Sequence, residues 1–514
     1  MCIKKILLTM SLLCFTSLTA NAKNVWVNNL RSDFLNNSTI IYAVNMRTFN
    51  ADDKNGDGII NFNEGETSGT FMNGISRLEE LKNEGITALH LLPVTPVGKT
   101  KALGTAGSLY SASSFNSLNP QLNDYTSGIS IEEQAKRFIE VAHNKGIAII
   151  ADLPGCGSYD LYLQRPELFV KDSSGEPVIP SDWTDVRLLN AGTETNINKD
   201  VFKLYQDFVD YMQKLGVDGI RADVAHNKPA KFWKELIEYS RKSDPQFLWL
   251  AESSDSWKTG VSDKGVFTPY DKLLEAGFDG YYGSYFNLKN WKTAKELENH
   301  VNFNLSLKKK FGENKSVIGS FTTHDELSPI LEKGGMFSNM IMWLNATLPL
   351  NAYFVDGFST GDNYIYFWAN KKAPVTYTDD DIYFVHRGKI DIFNFSRKPG
   401  GNNNQLHTNF VMANQLKKFI SEMNGNKTFN FLKTSSAETF AYIIQDSNHS
   451  VIVYGNLDFK NSKNIKFSIP KIKSEVSYSP IIMSNVPDIK NGILSVNLYA
   501  GEIQVLILNN FTEQ

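Results

Sequence analysis

Residues 216–226 read GVDGIRADVAH, residues 247–253 read FLWLAES, and residues 316–326 read SVIGSFTTHDE. Each stretch carries a short apolar run with an acidic residue after it: Asp223, Glu252 and Asp325. A helical pattern follows each one. Short runs that are apolar on both faces and alternate with amphipathic helices describe parallel strands covered by helices. In a closed parallel barrel all strand C-termini open on one face, so these three carboxylates converge there.

The same alternation extends in both directions. TIIYAVNMRTF (39–49), ITALHLLPV (86–94) and IAIIADLP (147–154) read as earlier strands. NGISRLEELKNEG (73–85) and IEEQAKRFIEVAHNKG (131–146) read as the helices between them. VFKLYQDFVDYMQKLG (201–216), AKFWKELIEYS (230–240), DKLLEAG (271–277) and AKELENHVNFNLSLKKKFG (294–312) continue the helices. FDGYYGSYF (278–286) and NAYFVDG (351–357) add strands, FSNMIMWLNATL (337–348) reads as the seventh helix, and NFVMANQLKKFISEMNG (409–425) reads as the eighth. Eight strand–helix alternations predict a right-handed (β/α)₈ TIM barrel. Between about 155 and 198 the pattern lapses into a Pro-, Asp-, Ser- and Tyr-rich stretch. That is read as a short insertion after strand 3, and so long an irregular stretch is usually functional. Beyond about Gly425 short strand-like runs with turn residues between them take over, which predicts a C-terminal antiparallel β domain over 426–514. The barrel then occupies 23–425.

The first 22 residues read as an export signal: MCIKK, an apolar run through residue 18, and Ala20-Asn21-Ala22 as the cleavage site. Removing them takes Cys2 and Cys14 and leaves Cys156, so the mature chain has no internal disulfide. The expected location is periplasmic or extracellular, with no membrane association after cleavage. A net charge of −3 suggests no polyanion-binding surface, so nucleic acid is not an expected partner.

Converging carboxyl groups suit cleavage of a glycosidic bond, where one attacks or stabilises the sugar cation and another protonates the departing oxygen. Arg221 stands two residues from Asp223 and therefore on the same side of its strand, where its fixed charge would keep that carboxylate ionised.

The ordered set GVDGIRADVAH, FLWLAES and FTTHDE, with TAGSLYSASSFNSLNP (105–120), resembles the segments of the α-amylase family, glycoside hydrolase family 13. The resemblance implies a nucleophilic Asp223, an acid/base Glu252, and an Asp325 that binds sugar hydroxyls. It further implies that His324 and Arg221 serve the same sugar, that Tyr110 stacks on it, and that His226 lies on the acceptor side. A retaining mechanism places the Asp223 and Glu252 carboxyls about 5–5.5 Å apart. The strand-3 segment departs from the family pattern: Asp152 remains, but Cys156 and Gly157 stand where an Asn-His pair is usual. Cys156 reads as a small packed residue rather than a reactive thiol. His226-Asn227 also replaces a common Lys-His pair.

Asp53, Asn55, Asp57, Ile59, Asn61 and Glu64 match the D-x-[DN]-x-[DN]-G-x₅-E calcium pattern, with Ile59 offering its carbonyl. Ca²⁺ is the expected cofactor. The reading is an exported, retaining α-glycoside hydrolase acting on α-glucans or maltooligosaccharides. A transglycosylase on the same scaffold and a non-catalytic glucan-binding protein are the alternatives. Linkage and oligomeric state are not legible.

Overall fold

A computed structural model of the chain describes residues 25–52, 54, 62–102, 107–180, 183–311, 315–361, 404–469 and 485–509. The export segment 1–22 lies outside them, as do the calcium-pattern residues Asp53, Asn55, Asp57, Ile59 and Asn61.

Three parallel strands open the fold: β1 Ile40–Val44, β2 Ala88–Leu91 and β3 Ala148–Leu153. Two short antiparallel strands, β4 Cys156–Ser158 and β5 Val186–Leu188, then form their own ladder in the insertion. The parallel set resumes with β6 Gly219–Ala222, β7 Leu248–Ala251, β8 Gly280–Tyr281, β9 Ser316–Val317 and β10 Ala352–Val355. The order is β10-β1-β2-β3-β6-β7-β8-β9, and a parallel bridge from Ile318 to Asn351 joins the two edges. This is the TIM barrel expected from the alternation.

Side chains alternate across each strand, and the alternation sorts them into two layers. On β1, Ile40, Tyr42 and Val44 join the layer shared with the surrounding helices. Ile41 and Ala43 join the barrel interior with Ala88, Ala148, Ile150, Leu248 and Leu250. Carrying the same parity toward the strand C-termini gives His90, Asp152, Arg221, Asp223 and Glu252. The register sets Asp152 beside Arg221, and Arg221 beside Leu250. The inner stack therefore changes from aliphatic to charged at the mouth of the barrel.

Helix Lys199–Leu215 shows how sequence shapes the outer layer. Asn198 caps its first turn, and Gly216 ends it at φ 100°, a backbone conformation that suits glycine. Its buried stripe is Val201, Tyr205, Phe208, Val209 and Met212.

Three local expectations change. The stretch 278–286 pairs as a strand only over β8, because Gly283 turns at φ 67° and Tyr285–Asn290 winds into a 3₁₀ helix. The helix expected over 73–85 starts earlier, at Phe71 behind a Thr70 capping box, and tightens to 3₁₀ over Ile75–Arg77. There Arg77 turns inward to pair with Asp356 at 3.0 Å. The insertion is not wholly irregular, since it contains the β4–β5 ladder and helix Tyr159–Gln164.

Helix Asn404–Glu422 precedes the C-terminal strands: β11 Thr428–Leu432, β12 Thr439–Gln445, β13 His449–Asn456, β14 Lys463–Ser468, β15 Asp488–Lys490, β16 Ile493–Leu498 and β17 Ile503–Asn509. They form antiparallel sheets β11-β12-β13-β17 and β14-β16-β15. Ala441, Ile443, Ile452 and Tyr454 face Ile465, Phe467, Leu494 and Val496 between the sheets. Phe440, Tyr442, Val451 and Val453 project the other way into the core shared with the barrel helices. The Tyr442 hydroxyl meets Thr347 Oγ1 at 2.6 Å across that boundary. Among the described residues no helix is long and apolar enough to cross a membrane.

Candidate active site

Arg221 is fully buried at the barrel mouth and organises the charges around it. Its Nη1 donates to Asp152 at 2.9 and 3.1 Å and to Asp223 Oδ1 at 2.8 Å. Its Nε donates to the Tyr282 hydroxyl at 3.0 Å. Its Nη2 lies 3.1 Å from Glu252 Oε1, a charge contact without hydrogen-bond alignment. Burial alone would lower the guanidinium's affinity for its proton, but Asp152 and Glu252 hold it fully protonated. Burial likewise opposes ionisation of Asp152, yet Arg221 and His90 hold that carboxyl below the usual range. His90 Nε2 lies 3.1 Å from Asp152 Oδ2.

Asp223 accepts a second bond, from the Gly155 N–H to Oδ2 at 2.9 Å. Only glycine fits there, because a Cβ at 155 would meet the Asp223 carbonyl oxygen at 2.6 Å. Glu252 Oε2 accepts the Val224 N–H at 2.6 Å. Val224 has φ 38°, the left-handed region, which is costly for a β-branched side chain by about 1–3 kcal/mol. That turn, one residue past Asp223, aims a backbone N–H at Glu252. Burial raises both carboxyls, and mutual repulsion of Asp223 and Glu252 adds to it at Asp223. Close carboxyls in one dry pocket retain one proton between them. Asp223 holds two aligned N–H donors, one of them charged, and Glu252 holds one, so the proton belongs on Glu252.

Asp325 sits at the rim with 36 % of its side-chain surface exposed. Burial, reinforced by Asp223 and opposed by Arg221, pushes its carboxyl up to about 7, with water at the open edge moderating the effect. His324 Nε2 lies 3.5 Å from Asp325 Oδ2 and 2.7 Å from the Tyr110 hydroxyl. That hydroxyl also donates to Asp152 at 2.8 Å. The Tyr110 and His324 rings stack at 5.8 Å and 8°. Tyr110 is thus tied to the charged layer while its ring lines the cavity.

These groups border a cavity of about 390 Å³ that also takes in Cys156, Trp183, His226 and Trp257. His226 is buried with its ring 4.9 Å from Trp257, and its Nδ1 has no hydrogen-bond partner among the described residues. Burial drops its pKa to about 4, so the imidazole is neutral at neutral pH. The thiol of Cys156 is buried among Val178, Val186 and Leu188, and burial pushes it up to about 12, which makes it an unreactive packed group. Gly157 cannot accept a larger residue, because a Cβ there would meet the Phe169 ring at 2.8 Å. The insertion therefore fills the space that an imidazole at 157 would need.

All seven catalytic and substrate-binding candidates border or adjoin this one cavity. Glu64 instead is exposed at the end of the 3₁₀ turn Phe62–Glu64, where its carbonyl accepts the Lys54 ammonium at 3.1 Å. Among the described residues no group of three or more His, Cys, Asp or Glu side chains could hold a metal. Sequence reasoning passed over His90, the Gly155 N–H, Lys228, Trp183 and Trp257 as site groups. His90 was reachable, since it shares the inward parity of Ala88 on β2. The two tryptophans lie in loops with no periodicity to betray them.

No family model matches the chain. It is similar to the alpha-1,4-glucan:maltose-1-phosphate maltosyltransferase of Arcanobacterium haemolyticum, 23% identical over 291 residues, covering 52% of this chain and 38% of that protein. The enzyme of the same name from Corynebacterium glutamicum is 22% identical over 419 residues, covering 77% of this chain and 56% of its own. The chain thus spans 38% and 56% of the length of these two relatives. In fold it resembles an alpha-amylase from Lactobacillus plantarum, with TM-score 0.65, 19% identity, and coverage of 92% of this chain and 99% of that one.

Proposed function

We propose that the chain is a member of the α-amylase family, glycoside hydrolase family 13, and that within it this protein is a retaining enzyme acting on α-glucans or maltooligosaccharides. The observation that carries the reading is the Arg221 guanidinium, which touches both Asp223 and Glu252 at the floor of a sugar-sized cavity. The asymmetry in their donors gives the two carboxyls different tasks. Ionised Asp223 attacks the anomeric carbon as Glu252 passes its proton to the departing glycosidic oxygen. The C–O bond to the leaving sugar breaks, and an ester to Asp223 forms. Glu252, now a carboxylate, takes a proton from the incoming hydroxyl, whose oxygen displaces Asp223. Asp325 and His324 hold the hydroxyls of the reacting sugar from the rim.

The incoming hydroxyl belongs to water in hydrolysis and to a second sugar in transfer. We infer hydrolysis first, in keeping with the alpha-amylase likeness. Transfer has its own support: the sequence relatives are named maltosyltransferases. The wall beside His226 is also aromatic and aliphatic, with Trp257, Trp183 and Val261, which suits a sugar acceptor better than loose water. Incubation with maltooligosaccharides separates the readings. Shorter products mean hydrolysis, longer ones mean transfer, and unchanged sugar with measurable binding means a non-catalytic glucan-binding protein.

We also propose that residues 53–64 hold Ca²⁺. The donor set is all oxygen, as a hard cation requires. The loop is closed at its base by paired Asp52–Thr67 backbone bonds of 2.7 and 3.1 Å. Export with loss of residues 1–22 completes the proposal, and N-terminal sequencing of the secreted protein tests it.

A further inference from the structure

Lys228 is a buried ammonium behind the nucleophile, and no carboxylate lies within ion-pair distance of it among the described residues. Burying an unpaired charge is costly, so its contacts bear directly on why it is there. Its Nζ donates to the Gly155 carbonyl at 2.9 Å. The faces of Tyr205 and Trp233 lie 5.0 and 5.8 Å from it and take part of the charge. The Tyr205 hydroxyl donates to the Pro154 carbonyl at 2.9 Å. Two consecutive carbonyls, 154 and 155, are thus pinned from behind, and the N–H between them points forward to Asp223 Oδ2 at 2.9 Å. Gly155 has no room for a Cβ, so the segment is seated directly against the Asp223 backbone.

We propose that Lys228 is a positioning residue for the nucleophile: through the Gly155 carbonyl it holds the Gly155 N–H on Asp223, and its charge favours the Asp223 carboxylate. The proposal rests on the functional reading above for the identity of the nucleophile. Other groups share the field at Asp223. Arg221 comes from its own strand, Asp152 from β3, Glu252 from β7 and Asp325 from the segment after β9. Cys156 and Tyr205 face it from the insertion and the outer helix. Among these Arg221 is the cation, and Lys228 adds a second positive charge. Burial lowers the Lys228 pKa to about 8, with Asp223 and Cys156 opposing that fall, so Lys228 remains largely charged at neutral pH.

The test compares Lys228→Met, Lys228→Arg and Gly155→Ala with wild type. Without the ammonium, Asp223 keeps its proton to higher pH, and the acid limb of kcat/KM moves up by about half a unit or more. Lys228→Arg keeps the charge and restores most of the limb. Gly155→Ala displaces the N–H and moves the limb the same way, which serves where Lys228→Met does not fold. Lys417 clamps the Leu350 carbonyl outside the cleft, so Lys417→Met leaves the limb in place. A Lys228→Met protein that melts like wild type with an unmoved acid limb overturns the proposal. So does an unmoved limb in folded Gly155→Ala. The Asp223 titration is also followed by carboxyl ¹³C NMR, with Asp223→Asn for assignment. That readout needs no turnover: a protein inactive on every α-glucan refutes the functional reading, while the NMR shift still decides the role of Lys228.

Discussion

Arg221 Nη1 lies 2.8 Å from Asp223 Oδ1 and leans on Asp152 with the same nitrogen, so the nucleophile candidate is held by a cation that is itself held from behind. Replacing Arg221 by a neutral residue leaves the buried carboxylates of Asp152 and Asp223 without their cation. Arg221→Met should cost about 3–5 kcal/mol of stability. Thermal melts at neutral pH check this, and a loss below about 1 kcal/mol would mean that the cluster relaxes without its cation.

Asp223→Asn keeps the shape of the side chain and removes its nucleophilicity. Turnover of maltooligosaccharides should fall on the order of 10⁴-fold or more, with an unchanged circular dichroism spectrum. Retention of a tenth of wild-type activity would reassign the nucleophile.

Glu252→Gln cannot donate a proton to a leaving group. Its kcat on oligosaccharides should drop about 10²–10⁴-fold. The first step should be largely spared on a glycosyl fluoride, which departs unassisted. Equal losses on both substrates would argue that Glu252 only shapes the pocket.

Asp325 links function to stability through pH. Its carboxyl is raised to about 7 in the folded protein, above its unfolded value. Between those two values the native state binds more protons than the unfolded chain, so this group's contribution falls as pH rises toward 7. Asp325→Asn removes that dependence. It should raise Tm by about 1–3 °C at pH 8, have little effect near pH 4, and lose most activity. A lower Tm at pH 8 would show that the ionised carboxylate is stabilising.

If the 53–64 loop holds Ca²⁺, chelation should lower Tm, and Asp57→Asn should weaken the response. Ligand at 100 times Kd contributes about 2.7 kcal/mol. Melts insensitive to both EGTA and added calcium would remove the site.

The barrel was legible because period is a local property. Runs such as ITALHLLPV, and the capped helix ending at Gly216, carry their own signals within about a dozen residues. The ends of strands were less so: residues 278–286 look like one strand, but pairing partners and the turn at Gly283 stop it after Tyr281. Of the site, the side chains that continue a strand's inward parity were readable. Asp223 extends 219 and 221, and Glu252 extends 248 and 250.

The sequence by itself determined the βα alternation, the change to short strands after the eighth helix, and which carboxylates end up at strand tips, since each follows from spacing along one segment. Tertiary structure alone decided that Gly155 offers its N–H to Asp223, that Lys228 stands behind it, and that Phe169 closes the space beside Gly157. Those contacts join loops and helices distant along the chain. Their energies depend on distance and burial in three dimensions, and no local pattern encodes either.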